Sequence, residues 1–587
     1  MKWINRIFVA ILFILMQNSV AHSISHYEII SAMRDELKRS MDSLFIETLQ
    51  KPYYVEYTLK ISNTYRASAL LGSLVDTASA KKITLNLQVR VGDYNFDNTN
   101  FLDFSLFFFM GDGEASGSRR LVPVDLDYYS LRRELWLATD IAYKKAVETY
   151  SKKIGIMKNR LMKDTLPDFA KAMPTVSIDT NFSFPKFNFE EYCEIVKDIS
   201  KIYCDYPEIH NSSVSFEYFQ DVIYYINSEG TEFVKTKQFT GFETAGASQC
   251  EDGMPIYNFY SAYADEPAKL PQKDSLRKAT EILCKNLSKM YEVKPLEDSY
   301  SGPILFVGQA SAELFAQVFA PNLVAQRKSL SEQGLQSFSR YTAFQTKIGG
   351  RVLPEFLSVY SSPLKKDFNN IPLLGYFKID DQGVPAQNIL LVDKGYLKTL
   401  LADRTPVKRI LSSNGNDREG NPMFGNLEVI VDKKHNLTER QLKEKLIQLC
   451  KQRDLPYGII VRKIMNQNIF STVVSRLTSF EFKFSDEQST IKVVEAYKVY
   501  PDGREELIRG GELKGFTVQS FKDIIFAGDK PYLLNFLAPT VSGSFSGGYL
   551  GASIIVPSLL FEDGELKPVE SDFPKPPFLK NPIIMND

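Results

Sequence analysis

Four histidines, His22, His26, His210 and His435, are all that this 587-residue chain offers for imidazole chemistry. A zinc hydrolase sets two histidines four or five residues apart on one helix, so that both reach a single metal while a glutamate takes the proton of the bound water. No such pair occurs in the body of the chain. The close pair His22-Ser-Ile-Ser-His26 sits at the N-terminus, where an amine and imidazole could chelate a divalent metal only if a mobile chain end were held. A Ser-His-Asp triad would need His210 or His435 as its base. Glu208-Ile-His-Asn-Ser reads as a loop, and Asp432-Lys-Lys-His-Asn as the exposed approach to a helix. Neither a G-x-S-x-G elbow nor a Walker A loop is present. The run 543–551 (GSFSGGYLG) fits no nucleotide-binding pattern and reads as a turn between strands. The adjacent carboxylates Asp380-Asp381 and Glu505-Glu506 read as solvated charge on turns. Cys193, Cys204, Cys250, Cys284 and Cys450 form no C-x-x-C and are too scattered for a disulfide scaffold.

Composition narrows the class of partner. Lys plus Arg total 70 against 71 Asp plus Glu, so the chain lacks the basic excess of a nucleic-acid binder. The length allows two to four domains, and 44% hydrophobic with 24% charged residues is ordinary globular composition. Lys2 and Arg6, the apolar run 7–16 and the small-residue site Ser19-Val20-Ala21 together make the three regions of a secretory signal over 1–21. That run is too short for a permanent membrane span, so a soluble product is expected in an exported compartment, periplasmic or extracellular.

The remaining pattern must build the scaffold. Alternation over 53–60 and 83–90 predicts half-buried strands of a mixed sheet, and 215–226 with 231–239 flank Asn227-Ser228-Glu229-Gly230 as a strand-turn-strand unit. Leu131, Leu135, Ala138, Ala142, Ala146 and Val147 recur at helical spacing through a long amphipathic helix over about 130–163. Helices are also expected at 187–202 and 270–291, the second with Leu276, Ala279, Ile282 and Leu283 on one side. Beyond Tyr300, short apolar runs are punctuated at 381–383, 394–395, 414–416 and 501–503 as in antiparallel hairpins. One helix interrupts them at 437–452, with Asn436 and Glu439 spaced as a capping box. The fold class is α+β: an N-terminal α/β domain with long helices over 22–298, then a C-terminal domain of mainly antiparallel β-sheets over 299–587.

Longer runs resemble the TldD/PmbA family, metallopeptidase-related proteins also called modulators of gyrase. They are Tyr225-Ile-Asn-Ser-Glu-Gly-Thr231, Gln249-Cys-Glu-Asp-Gly-Met-Pro255, 301–315 (SGPILFVGQASAELF), 375–387 (GYFKIDDQGVPAQ), Lys394-Gly-Tyr-Leu397, Asp403-Arg-Thr-Pro-Val407 and Ser413-Asn-Gly415. Their colinear order, from about 144 to 582, carries the resemblance. It implies a helix bearing H-E-x-x-x-H and a late Cys as zinc ligands. Here the matching stretch reads Ala312-Glu-Leu-Phe-Ala-Gln317, and no Cys follows Cys450. The resemblance therefore implies a zinc-less variant with no metal ligands and no cofactor. Glu313 stays as a vestigial catalytic candidate, on a helix whose Leu314, Phe315, Val318 and Phe319 face a core. It further implies a peptide-binding or partner subunit of a peptidase complex, handling peptides or unfolded segments as a homo- or heterodimer, with a metal-bearing paralogue as one partner. Two alternatives stay open: an active peptidase with a non-standard site, and a non-catalytic scaffold in the cell envelope.

Overall fold

The computed structural model describes residues 24–46, 49–102, 119–160, 166–331, 343–466, 490–539 and 549–569, with a few positions of 573–579. The signal region 1–21, His22 and most of the 543–551 run lie outside the described residues. No helix among the described residues is long and apolar enough to cross a membrane.

A mixed seven-stranded sheet forms the first half. Its strands are β1 (Pro52–Leu70), β2 (Ser73–Val91), β3 (Arg119–Val122), β4 (Val176–Ile178), β5 (Asn211–Asn227), β6 (Glu232–Gln249) and β7 (Pro255–Ala264). They run in the order β3-β2-β1-β5-β6-β4, with β7 also on β6, antiparallel except β4 against β6. β1 and β2 reach 19 residues each, about twice the predicted length, because Leu71 and Gly72, both at positive φ, close a two-residue hairpin. Four helices cover one face: α1 (His26–Ser43), α2 (Tyr128–Arg160), α3 (Phe189–Ser200) and α4 (Lys273–Glu292). The predicted stripe of α2 is buried, Leu131, Leu135 and Ala138 completely, except Ala142, which is half-buried. α4 is rotated from expectation: Leu276, Thr280, Leu283, Cys284, Leu287 and Met290 are buried, whereas Ile282 is 49% exposed. α1 falls outside the helices expected from periodicity, although Ser25 and Glu28 form its capping box. His26, in its first turn, hydrogen-bonds through Nδ1 to the Tyr224 hydroxyl and packs edge-on to Phe182.

The second half is a twelve-stranded sheet. Its principal strands are β8 (Tyr300–Phe306), β9 (Leu357–Ser361), β10 (Ile389–Asp393), β11 (Asn426–Val431), β12 (Gly458–Ile464), β13 (Ile491–Val499), β14 (Gly511–Lys514), β15 (Ile524–Pro539) and β16 (Tyr549–Pro568). The pairing β16-β14-β13-β12-β8 returns to β16, where Leu566 lies between Leu513 and Tyr300, so five strands close a ring. Ile304, Phe306, Val461, Leu513 and Phe561 join the large core, while Leu305, Ile460 and Leu560 pack on the other side under α6 (Glu439–Gln452). Alternate residues thus serve two cores, as the strand period requires. The α6 capping box uses Thr438 and Gln441, not Asn436 and Glu439, because Asn436 is drawn into a short parallel pairing with Ala527 of β15. Glu505 and Glu506 lie on a short strand rather than a turn, and Glu505 pairs with Lys443 at 2.7 Å.

The two halves are pinned by Arg404, whose side chain is fully buried. Its guanidinium donates to Glu229 Oε1 and the Ala170 carbonyl at 2.7 and 2.8 Å and stacks 3.9 Å from the Phe169 ring. Glu229 also accepts from Tyr94 at 2.7 Å. Removing one partner of a buried ion pair strands the other charge. Arg404→Met is expected to cost about 3–5 kcal/mol in urea unfolding, and Arg404→Met with Glu229→Gln less than the two single losses combined.

Candidate functional site

β8 ends at Phe306, the chain turns at Gly308 with φ +54°, and α5 (Gln309–Leu314) begins. α5 is held at its start by Gln309, which donates to the Ile464 carbonyl at 3.2 Å and accepts from the Ile464 amide at 3.1 Å. Ser311 donates to the Pro557 carbonyl at 2.6 Å. The helix then widens into a π turn over Phe315–Phe319, with the Ala320 amide donating to the Phe315 carbonyl. A π turn takes more residues per revolution than an α turn, which helps bring residues five apart onto one face. Positions 312 and 317 are such a pair.

Ala312 is completely buried, and Leu314, Phe315, Val318 and Phe319 form core as expected. Glu313 departs from the expected ordinary helix polar residue: it is only 3% exposed. Its Oε1 accepts from the Gln317 amide at 2.8 Å, and its Oε2 is buried without a hydrogen-bond partner. Burial pushes its carboxyl up to about 7, partly opposed by the Gln317 bond. Gln317 donates as well to the Met465 carbonyl at 2.7 Å, tying the helix to the end of β12. Tyr532, 41% exposed, lies near enough to feel Glu313: its phenol is raised by burial, then Tyr260, then Glu313.

These groups do not fit a zinc ion. Glu313 offers one carboxylate, Ala312 no donor atom, and Gln317 an amide whose nitrogen already serves Glu313 and Met465. Such a set lacks the three strong ligands of a catalytic zinc. Among the described residues no group of three or more His, Cys, Asp or Glu is placed to hold a metal.

Asp380 and Asp381 correct the reading of solvated turn charge. Asp380 is 1% exposed and accepts from the Gln382, Val384 and Asp417 amides at 2.8–3.1 Å. Burial nevertheless raises its carboxyl to about 7. Asp381 pairs with Lys235 of β6 at 2.7 Å. Gly383 shows how closely this turn meets the first sheet: at φ +82°, a Cβ there would lie 2.3 Å from Thr231 Cγ2. His210 and His435 are exposed, and His435 stacks on Phe356 with ring centroids 5.0 Å apart.

Residues 299–492 match the family model for the PmbA/TldA metallopeptidase C-terminal domain. Over these residues, about a third of the chain, the sequence is similar to the TldD/PmbA family. Solved structures carry the likeness in fold across both halves. TldE from Thermococcus kodakarensis is 14% identical with a TM-score of 0.55, over 91% of this chain and 99% of that one. A proposed modulator of DNA gyrase from Bacteroides thetaiotaomicron is 12% identical with a TM-score of 0.56, over 92% and 99%. Another, from Thermotoga maritima, is 13% identical with a TM-score of 0.55, over 88% and 96%. No curated protein matches the sequence. The TldD/PmbA-like α+β fold brings together runs far apart in the chain: Glu229, from the first quoted run, meets Arg404, from a later one. Neither residue stood out in sequence, since only their recurrence in those runs marked them.

Raising Glu313 from 4.5 to about 7 has a definite sign for stability. Between those values the native state keeps a proton that the unfolded chain has lost, so this group lowers stability as pH rises through the window. Glu313→Gln, which keeps an oxygen for Gln317, is expected to match wild type near pH 4.5 and to exceed it at pH 8 by up to about 3 kcal/mol in chemical unfolding. An equal gap at both pH values would contradict this account.

Proposed function

We propose that this chain is an exported TldD/PmbA-like protein without the catalytic zinc, which binds peptides or unfolded segments and acts as a subunit of a peptidase assembly, as a homodimer or beside a metal-bearing paralogue. The observation that carries the reading is the replacement of both helical ligand positions by Ala312 and Gln317, with the Gln317 amide bonded to Glu313 and Met465. A sheet face between the two halves that keeps Glu217, Phe219, Lys237 and Glu243 half-buried supports the peptide part, since extended chains suit β surfaces whatever their sequence. The charged, apolar and small-residue regions of 1–21 support export.

One observation favours a second reading, a hydrolase that uses Glu313 as general base. A carboxyl near 7 with one oxygen free is suited to proton transfer at neutral pH. The two readings separate by experiment. Protein purified without a His tag is expected to hold less than about a tenth of a zinc per chain by elemental mass spectrometry, to bind unstructured peptides and to leave them uncut. Near-stoichiometric metal would overturn the first reading, and cleavage abolished by Glu313→Gln would establish the second. N-terminal sequencing of exported material is expected to begin near His22.

A further inference from the structure

The second half meets the sheet face opposite the helices at both ends, and also at Lys235, which donates to the Ile379 and Asp380 carbonyls and to Asp381. At one end Arg404, Tyr54, Tyr225 and Phe233 close it. At the other, Met465 and Val494 pack on Ala245 and Phe259, and Lys463 lies over the Phe259 ring at 4.5 Å. Between them the register sets Lys235, Lys237, Phe239, Gly241 and Glu243 of β6 beside Asp221, Phe219 and Glu217 of β5 and Tyr263 of β7. Lys237, Phe219, Glu217 and Glu243 remain half-exposed. Phe239 lies 6.1 Å from Phe219 and 5.5 Å from Tyr263, making an aromatic floor.

Lys237 stands apart among the charges here. On β1 and β5, Lys60 pairs with Asp221 at 2.8 Å, and on β6 Lys235 pairs with Asp381 at 2.7 Å. From the facing loop, Arg418 donates to the Phe424 and Gly551 carbonyls, both at 2.8 Å. Glu419, exposed at φ +56°, acts on Lys237 together with Asp381, yet no acidic group among the described residues lies within ion-pair distance of Lys237. Burial, Arg418 and Lys60 together push the Lys237 ammonium down to about 8, outweighing Glu419 and Asp381. From Lys237 to Ala245, beside Met465, the strand spans roughly 27 Å, the length of an eight-residue extended peptide.

We propose that Lys237 is an anchor for a peptide carboxylate, so that a bound peptide lies along β6 with its acidic end at Lys237, its side chains on Phe219, Phe239 and Tyr263, and its other end toward Met465 and Gln317. This rests on the peptide-binding reading and adds polarity and an end preference to it. Charge complementarity selects the occupant: an ammonium without a counter-ion gains most from an anionic group.

The test is fluorescence anisotropy at pH 7 and low salt with N-terminally labelled ten-residue apolar peptides, ending in a free carboxylate, an amide, or Asp followed by an amide. The free acid is expected to bind about tenfold tighter than the amide, from one hydrogen bond to a charged group. The Asp-amide peptide shows whether a side-chain carboxylate serves as well as a C-terminal one. Lys237→Met should erase the difference while still binding the amide, and Glu419→Gln, removing the competing carboxylate, should strengthen binding of the acid. Equal binding of acid and amide by wild type, or a preference that survives Lys237→Met, would overturn the anchor while leaving peptide binding intact. Absence of binding by any peptide would overturn both readings. Should Lys237→Met fail to fold, the acid-amide comparison and Glu419→Gln decide the matter.

Discussion

Arg404 carries a permanent charge into a place without water, and the relation between the two halves follows from how that charge is met. Its carboxylate partner and carbonyl acceptor come from the first half, on the 227–231 turn and at Ala170, and its aromatic neighbours Phe169 and Tyr54 come from there too. A guanidinium so held cannot slide, because each displacement leaves a buried donor unpaired. The turn after β5 is therefore fixed against the loop that follows β10, and the uncovered face of the first sheet is held at a set distance from β12 and α5. Lys153 and Arg327 reinforce this: both pair with Asp168, at 2.5 and 3.3 Å, next to Phe169.

The ring of five strands does the same for α5. β8 leads directly into the helix, and β12, its parallel neighbour, ends at Ile464 and Met465, which hydrogen-bond Gln309 and Gln317. Helix and strand end are thus positioned by one closed hydrogen-bonded body. In this frame Gln317 plays the part of a strut: its amide crosses from Glu313 to the β12 backbone, joining elements that a metal ligand at the same position would have turned toward an ion. The π turn over Phe315–Phe319 carries this amide bridge.

Carboxyls raised by desolvation recur along the junction of the halves. Glu243 is raised to about 7, Asp380 to about 7 and Asp403 to about 6, each mainly by burial. Asp381 shows the opposite outcome beside them, held below the usual carboxylate range by Lys235 and Lys237 despite its own burial. Neighbouring residues of one type thus differ in charge at neutral pH according to whether a cation faces them. On the face of the first sheet Lys60 and Lys235 form ion pairs, whereas Lys237 forms none among the described residues and feels Asp381 only at longer range.

Sequence by itself determined the local elements and the family likeness of the second half. The stripe of α2, the turn at 227–230, the β character beyond Tyr300 and the absence of helical imidazoles were all legible, because periodicity and residue type report on neighbours three or four positions away. It failed where the deciding neighbour was distant. Asn436 has the type and spacing of a cap, yet Ala527 claims it, and Thr438 takes the role. Asp380-Asp381 has the look of turn charge, yet Lys235 and the 417–420 backbone enclose it. Ile282 fits an apolar stripe, but the sheet beneath α4 meets a face turned away from it. Only tertiary structure decided that Glu229 and Arg404 are one ion pair, that Glu313 is buried with a free oxygen, and that Lys237 has no ion-pair partner among the described residues. The physical reason is that burial and charge pairing depend on what packs across the gap between two sheets, and no spacing along the chain records that distance.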